Sequence, residues 1–131
     1  MSILNFLVVE DEMIISMCLE NQLKQAGYHV LKVVASGEAS ITAARSYSPD
    51  VILMDINLAG KIDGISAAES ILSEMKVPII FMTGYPDKIH MDRAQSLHPL
   101  GYFTKPVSIK KIQCCLQILD EKNESQIQQR E

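Results

Sequence analysis

Val51-Ile52-Leu53-Met54-Asp55-Ile56-Asn57 is the stretch on which the fold turns. Its first four residues form a continuous apolar run, not an alternating one. That is the pattern of a parallel strand covered by helices on both faces. Ile79-Ile80-Phe81-Met82 repeats it, and Thr83-Gly84 then interrupts the run with polar and small residues as Asp55 does in the first stretch.

Working outward, short apolar runs at 4–9, 29–35, 51–54, 77–82 and 101–103 predict five strands. Segments of helical period at 13–25, 37–46, 66–74, 87–97 and 108 to about 122 predict five helices, one after each strand. The punctuation agrees with this alternation. Gly27 stands where the first helix should stop, Ser36 can cap the second, Pro49 precedes the third strand and Pro78 falls at the start of the fourth. Strict alternation of strand and helix implies an α/β, doubly wound, five-stranded parallel sheet joined by right-handed crossovers. Ligands in such sheets sit beyond the carboxyl ends of the strands, near the point where the winding reverses.

Composition bounds what the chain can be. A length of 131 residues, 47% of them hydrophobic, suits one domain with a single core. Twelve Lys plus Arg against 16 Asp plus Glu leave a net charge of −4, which gives no general attraction to nucleic-acid phosphates or anionic lipid. No apolar run approaches the ~20 residues of a membrane span, and Met1-Ser2-Ile3-Leu4-Asn5 has no basic leader, so the chain reads as cytoplasmic. The three cysteines, Cys18, Cys114 and Cys115, lack zinc spacing; the adjacent pair reads as small helix residues, one of them buried. The methionines, among them Met54, Met75 and Met82, are assigned to core filling. His29, His90 and His98 do not cluster with the acids and are expected at the surface or at helix ends.

The strand ends carry the chemistry. Glu10-Asp11-Glu12 follows the first strand, Asp55 the third, Thr83-Gly84 the fourth and Thr104-Lys105-Pro106 the fifth. A nucleotide-binding version of the fold would place glycines in the first turn, but three acids occupy it, and acids repel phosphate unless a metal intervenes. Converging carboxylates without His or Cys favour a hard cation such as Mg²⁺. Beside a metal a carboxylate can attack phosphorus, which makes Asp55 the candidate nucleophile. Lys105 and the Thr83 hydroxyl could supply charge and a hydrogen bond to the transferring group. Any one of these residues alone would read as a helix cap or turn residue; it is their joint placement at four strand ends that argues for a site.

Leu7-Val8-Val9-Glu10-Asp11-Glu12, Met54-Asp55-Ile56-Asn57, Asp63-Gly64, Met82-Thr83-Gly84 and Gly101-Tyr102-Phe103-Thr104-Lys105-Pro106, in this order, resemble the receiver domains of two-component signalling, the chemotaxis-regulator-like family. The resemblance covers roughly residues 3 to 120. It implies a flavodoxin-like strand order 2-1-3-4-5, a receiver domain over 1–120, and a polar helix extension or linker over 121–131. It implies Asp55 as phosphoacceptor, with Thr83 and Lys105 beside the phosphoryl group. Glu10, Asp11, Asp55 and the Asn57 carbonyl would form the Mg²⁺ shell, Asp11 as a direct ligand and Glu10 through a bound water. Glu12 would be an exposed residue of the first helix turn. Thr83 and Tyr102 match the pair that reports phosphorylation to the surface, with the Tyr102 ring expected to turn inward when the phosphoryl group arrives. The function implied is a phosphoacceptor switch that catalyses its own phosphorylation and dephosphorylation and is not a turnover enzyme. The implied partners are a sensor histidine kinase or a histidine phosphotransfer protein. A homodimer through helix four, strand five and helix five, or a downstream domain, would take the output. The segment from Asn57 to Gly64 departs from the family in lacking a common proline and in being one residue longer, and Val107 stands where Phe is frequent.

A metal-dependent phosphatase is the competing class. It would want Asp-x-Asp after the first strand, and a nucleic-acid-cleaving fold would want Asp-x-Asp after a later one; this chain has Asp55-Ile56-Asn57 instead.

Overall fold

The computed structural model describes residues 3–130, with side chains through Leu119. The elements alternate as β1 (Asn5–Val9), α1 (Met13–Gln25), β2 (His29–Val34), α2 (Gly37–Tyr47), β3 (Val51–Asp55), α3 (Gly64–Glu74), β4 (Ile79–Thr83), α4 (Lys88–Gln95), β5 (Gly101–Thr104) and α5 (Ile109–Arg130). All strands are parallel in the order β2-β1-β3-β4-β5, the order expected. The winding reverses between β1 and β3.

The continuous apolar strands are explained by the two cores. Along β1, Phe6 and Val8 face one layer while Leu7 and Val9 face the other, and β3 and β4 divide in the same way. Leu19 and Leu23 of α1 and Ile112, Cys115 and Leu116 of α5 close one face. Ala43 and Ala44 of α2, Ile65, Ala68 and Ile71 of α3 and Ala94 of α4 close the other. Each large aliphatic side chain fully buried in these layers contributes roughly 2 kcal/mol of transfer free energy.

Several boundaries differ from the sequence expectation. β4 starts at Ile79, not Val77, because Pro78 has no N–H and gives the ladder only its carbonyl, which accepts from Ile52 N at 3.0 Å. α3 starts at Gly64, not Ser66, because Asp63 Oδ1 caps it by accepting from Ser66 N at 2.8 Å. α4 is shorter than 87–97: Asp87 is its cap, accepting from His90 N, and the chain leaves the helix before His98, whose φ is +52°. Ser36 caps α2 and Gly27, at φ +94°, follows α1, both as expected. Cys115 is buried and Cys114 exposed, also as expected. The methionines are not all core. Met54 and Met82 are, but Met13, Met17 and Met91 stand on outward helix faces and are exposed. Along α5, Ile112 and Leu116 are buried, Ile109 packs at the margin, and Leu119 is only half-buried beside Pro78 and Leu100. Side-chain packing of the polar segment 121–131 lies outside the described residues.

Candidate functional site

The acid turn is shaped by its own backbone. Glu10 continues the sheet by donating its N–H to Val34 O at 3.0 Å, and its carboxylate folds back so that Oε2 accepts from Glu12 N at 3.1 Å. That fold buries Glu10 at 2% exposure, although it is the longest acid of the site. Asp11 differs in exposure. It is exposed, and its Oδ2 accepts from Ala59 N at 3.0 Å, tying the β1–α1 turn to the loop after β3. Glu12 is exposed at the α1 N-terminus and makes no side-chain cap, in keeping with its expected role.

Asp55 is fully buried at the end of β3, paired with Met82 of β4, which runs one residue further. Its Oδ1 accepts from Asn57 N at 3.1 Å and its Oδ2 from Lys105 Nζ at 2.9 Å. Lys105 Nζ also lies 2.7 Å from Glu10 Oε1. The approach is ionic, since no hydrogen bond of good geometry reaches that oxygen. Lys105 is held over the site by its own N–H, which donates to Thr83 O at 2.8 Å, and a cis peptide joins it to Pro106.

One ammonium therefore faces two buried carboxylates. Burial, and then the neighbouring Asp55 carboxyl, push Glu10 up to about 7, against the opposing pull of Lys105. Burial would lower the Lys105 pKa, but Glu10 and Asp55 outweigh it and hold it above the ordinary lysine value. Oxygens of Glu10, Asp11 and Asp55 lie within 4.8 Å of one another. An all-oxygen set with one exposed member, one oxygen lacking a directed partner and excess negative charge fits Mg²⁺, which takes few carboxylates and keeps waters. Asn57, the fourth expected ligand, adjoins this cluster through its N–H bond to Asp55.

Thr83 is buried at the end of β4, and its hydroxyl donates to Asn57 Oδ1 at 3.0 Å and accepts from Tyr85 N at 3.2 Å. It thus faces the loop beside Asp55. The Tyr102 hydroxyl is buried with no hydrogen-bond partner. The side chain is half-buried and packs on the core face shared with α3 and α4. Burial first, and the negative Asp87 second, raise its pKa.

An open cleft lined by Glu12, Ile15, Asn57, Gly84, Tyr85 and Lys105 leads to these groups. Sequence reading did not find Ala59, whose backbone N–H anchors Asp11, nor Arg93, which reaches Asp63 Oδ2 at 3.0 Å. A backbone donor leaves no residue-type signal, and an Arg on a short helix looks like any solvated charge.

A flavodoxin-like sheet whose first, third and fifth strands deliver two acids, a buried Asp and a Lys to one point defines a receiver domain. The chain belongs to this family: the model of the response regulator receiver domain matches residues 6–117. The chain is 31% identical over 106 residues to the transcriptional regulatory protein PdtaR of Mycobacterium tuberculosis, covering 81% of this chain and 51% of that protein. It is 39% identical over 83 residues to the phyllosphere-induced regulator PhyR of Methylorubrum extorquens, covering 63% of this chain and 31% of that one. The chain thus spans about half the length, or less, of these curated relatives. Among solved structures, the signal receiver domain of a modulated diguanylate cyclase from Desulfovibrio desulfuricans G20 superposes with a TM-score of 0.87 at 32% identity. That match covers 95% of this chain and 99% of that one. The BeF3-activated receiver domain of Klebsiella pneumoniae RstA, at 20% identity and a TM-score of 0.78, covering 87% of this chain and 96% of that one, shares the fold.

Proposed function

We propose that this chain is the phosphoacceptor switch of a two-component phosphorelay, taking a phosphoryl group from a histidine onto Asp55 in a Mg²⁺-dependent reaction. The observation that carries the reading is the convergence of three carboxylates within 4.8 Å, with one ammonium 2.9 Å from the buried Asp55.

An Asp55 carboxylate oxygen forms the new P–O bond while the P–N bond to the donor imidazole breaks, so the electron pair returns to the ring nitrogen. The transfer calls for no general base at Asp55, whose Oδ2 faces the Lys105 ammonium at 2.9 Å. Glu10, Asp11, Asp55 and the Asn57 carbonyl would hold Mg²⁺, which supplies the positive charge that lets two anions meet. Lys105 stays within reach of the acceptor oxygen and can pair with the arriving phosphoryl oxygens. The Thr83 hydroxyl can rotate from Asn57 toward the new group, and Tyr102 is the residue expected to carry that change to the surface. The product is an acyl phosphate on the chain itself, which makes the protein a switch and not a turnover enzyme.

The donor would be a sensor histidine kinase or a histidine phosphotransfer protein. Met13, Ile14 and Met17 expose an apolar α1 face beside a cleft that includes Lys105 and Pro106, which offers such a donor a landing next to Asp55. Tyr85, Ile89 and Met91 expose apolar surface on and beside α4, which supports output through α4, β5 and α5 to a second copy or a downstream domain. No helix among the described residues is long and apolar enough to cross a membrane, and the net charge is −4, which supports cytoplasmic action without direct nucleic-acid binding.

Incubation with acetyl phosphate tests this reading. Phosphate incorporation should saturate at about one group per chain and vanish when a chelator removes Mg²⁺. Incorporation indifferent to the chelator, or release of many phosphates per chain each minute, would overturn it.

A further inference from the structure

Helix α4 is thinly anchored: of its eight residues only Ala94 is buried. Its polar tie to the rest of the protein is Arg93. Nη1 donates to Asp63 Oδ2 at 3.0 Å and Nη2 donates to Ser66 Oγ at 3.2 Å. Asp63 is the N-cap of α3, accepting also from Ser66 N, and Ser66 lies in the first turn of that helix. The residue between them in this chain of contacts, Gly64, is wedged against the phosphoacceptor strand. Its N–H donates to Ile56 O at 3.0 Å, and a Cβ there would meet the Asp55 carbonyl group, 2.8 Å from its carbon. The connection from Arg93 through Asp63 and Gly64 to Asp55 therefore contains one side-chain clasp and otherwise only close-packed backbone. The guanidinium fork fixes direction as well as distance, which a point charge would not. Burial opposes the Asp63 charge, yet Ser66 and Arg93 together hold its carboxyl below the ordinary aspartate value, consistent with a persistent clasp.

We propose that Arg93 is a positioning residue that yokes α4 to the loop between β3 and α3, so that helix and phosphoacceptor loop move as one unit. The consequence, that phosphorylation of Asp55 reaches α4 by this route, rests on the phosphoacceptor reading; the yoke itself does not. It runs along the α3 side of the sheet through contacts that include neither Thr83 nor Tyr102.

Native-state hydrogen exchange on the full chain tests it, using R93Q, D63N and the double variant. Asn caps helices as well as Asp does, so D63N removes the clasp's charge while keeping the α3 cap. In R93Q the amides of α4 and those of residues 57–64 should both exchange roughly five-fold faster, the scale of a partly shielded ion pair. D63N should reproduce the change, the double variant should be no faster than either single one, and R93K should recover part of the protection. If α4 loosens while residues 57–64 do not respond, or if the two substitutions add, the yoke is refuted. With acetyl phosphate and Mg²⁺, α4 protection should change in the parent and not in R93Q. A parent that takes up no phosphate would sink the phosphoacceptor reading, while the donor-free exchange data would still decide for or against the yoke.

Discussion

Replacing Gly64 by Ala should damage both stability and phosphorylation, although it looks like a favourable helix substitution. Gly64 is the first residue of α3 and its φ is not in the left-handed region, so propensity alone would favour Ala by about 1 kcal/mol. The new Cβ, however, would stand 2.8 Å from the Asp55 carbonyl carbon and 3.0 Å from Ile56 Cα, with the Asp55 carbonyl oxygen nearer still. Every one of these atoms is backbone at the end of a fully buried strand, so no side chain can swing aside. Relief requires α3 or Asp55 to move by roughly 1 Å, which costs about 1–3 kcal/mol of overpacking and stretches the 3.0 Å bond from Gly64 N to Ile56 O, worth about 1 kcal/mol more. The net loss should be about 2 kcal/mol, a fall in Tm of roughly 5–10 °C. If Asp55 is what moves, a displacement of about 1 Å slows phosphorylation by up to ~100-fold. Thermal unfolding followed by circular dichroism, with the acetyl phosphate labelling rate measured alongside, checks both. A G64A protein with the parent's Tm and labelling rate would refute the reasoning.

Three further outcomes are expected. D11N should weaken Mg²⁺ binding by about ten-fold or more while E12Q leaves it nearly unchanged, because only Asp11 adjoins the carboxylate cluster; titration of the two variants checks this. Y102F should match the parent's stability or exceed it by up to ~1 kcal/mol, since the hydroxyl it removes is buried without a partner; a clear loss on thermal unfolding would show that the hydroxyl is paired. Asp63 has a lowered folded pKa, so its contribution is present above the unfolded value of about 4 and is lost as pH falls through the folded value. Denaturation of D63N and parent across pH should therefore show a gap of up to about 1 kcal/mol at pH 7 that closes in acid.

The layered fold was legible because burial on both faces leaves an unmistakable trace: Val51 through Met54 and Ile79 through Met82 cannot alternate when α1 and α5 cover one side and α2, α3 and α4 the other. Glu10, Asp11, Asp55, Thr83 and Lys105 were legible because polar residues at the ends of such runs have no structural reason to recur on four strands. Other features left no such trace. The start of α3 at Gly64 depends on a cap at Asp63 and on a backbone contact with Asp55, both tertiary facts. The clasp joins Arg93 to Asp63 across 30 residues, and neither periodicity nor charge pattern links such positions. Met13 and Met17 were assigned inward by residue type, yet the phase of α1, set by Leu19 and Leu23, turns them out. The packing of Tyr102 against the core face of α3 and α4 is likewise tertiary, and no local pattern encodes it.

The most direct measurement is the site of the phosphoryl group. Parent and D55N proteins are incubated with acetyl phosphate and Mg²⁺, weighed intact by mass spectrometry and then mapped by peptide. The parent should gain one phosphoryl group on the peptide that contains Asp55, and D55N should gain none. An equal gain in D55N, or a label mapped to any other residue, would contradict the assignment of Asp55 as the phosphoacceptor.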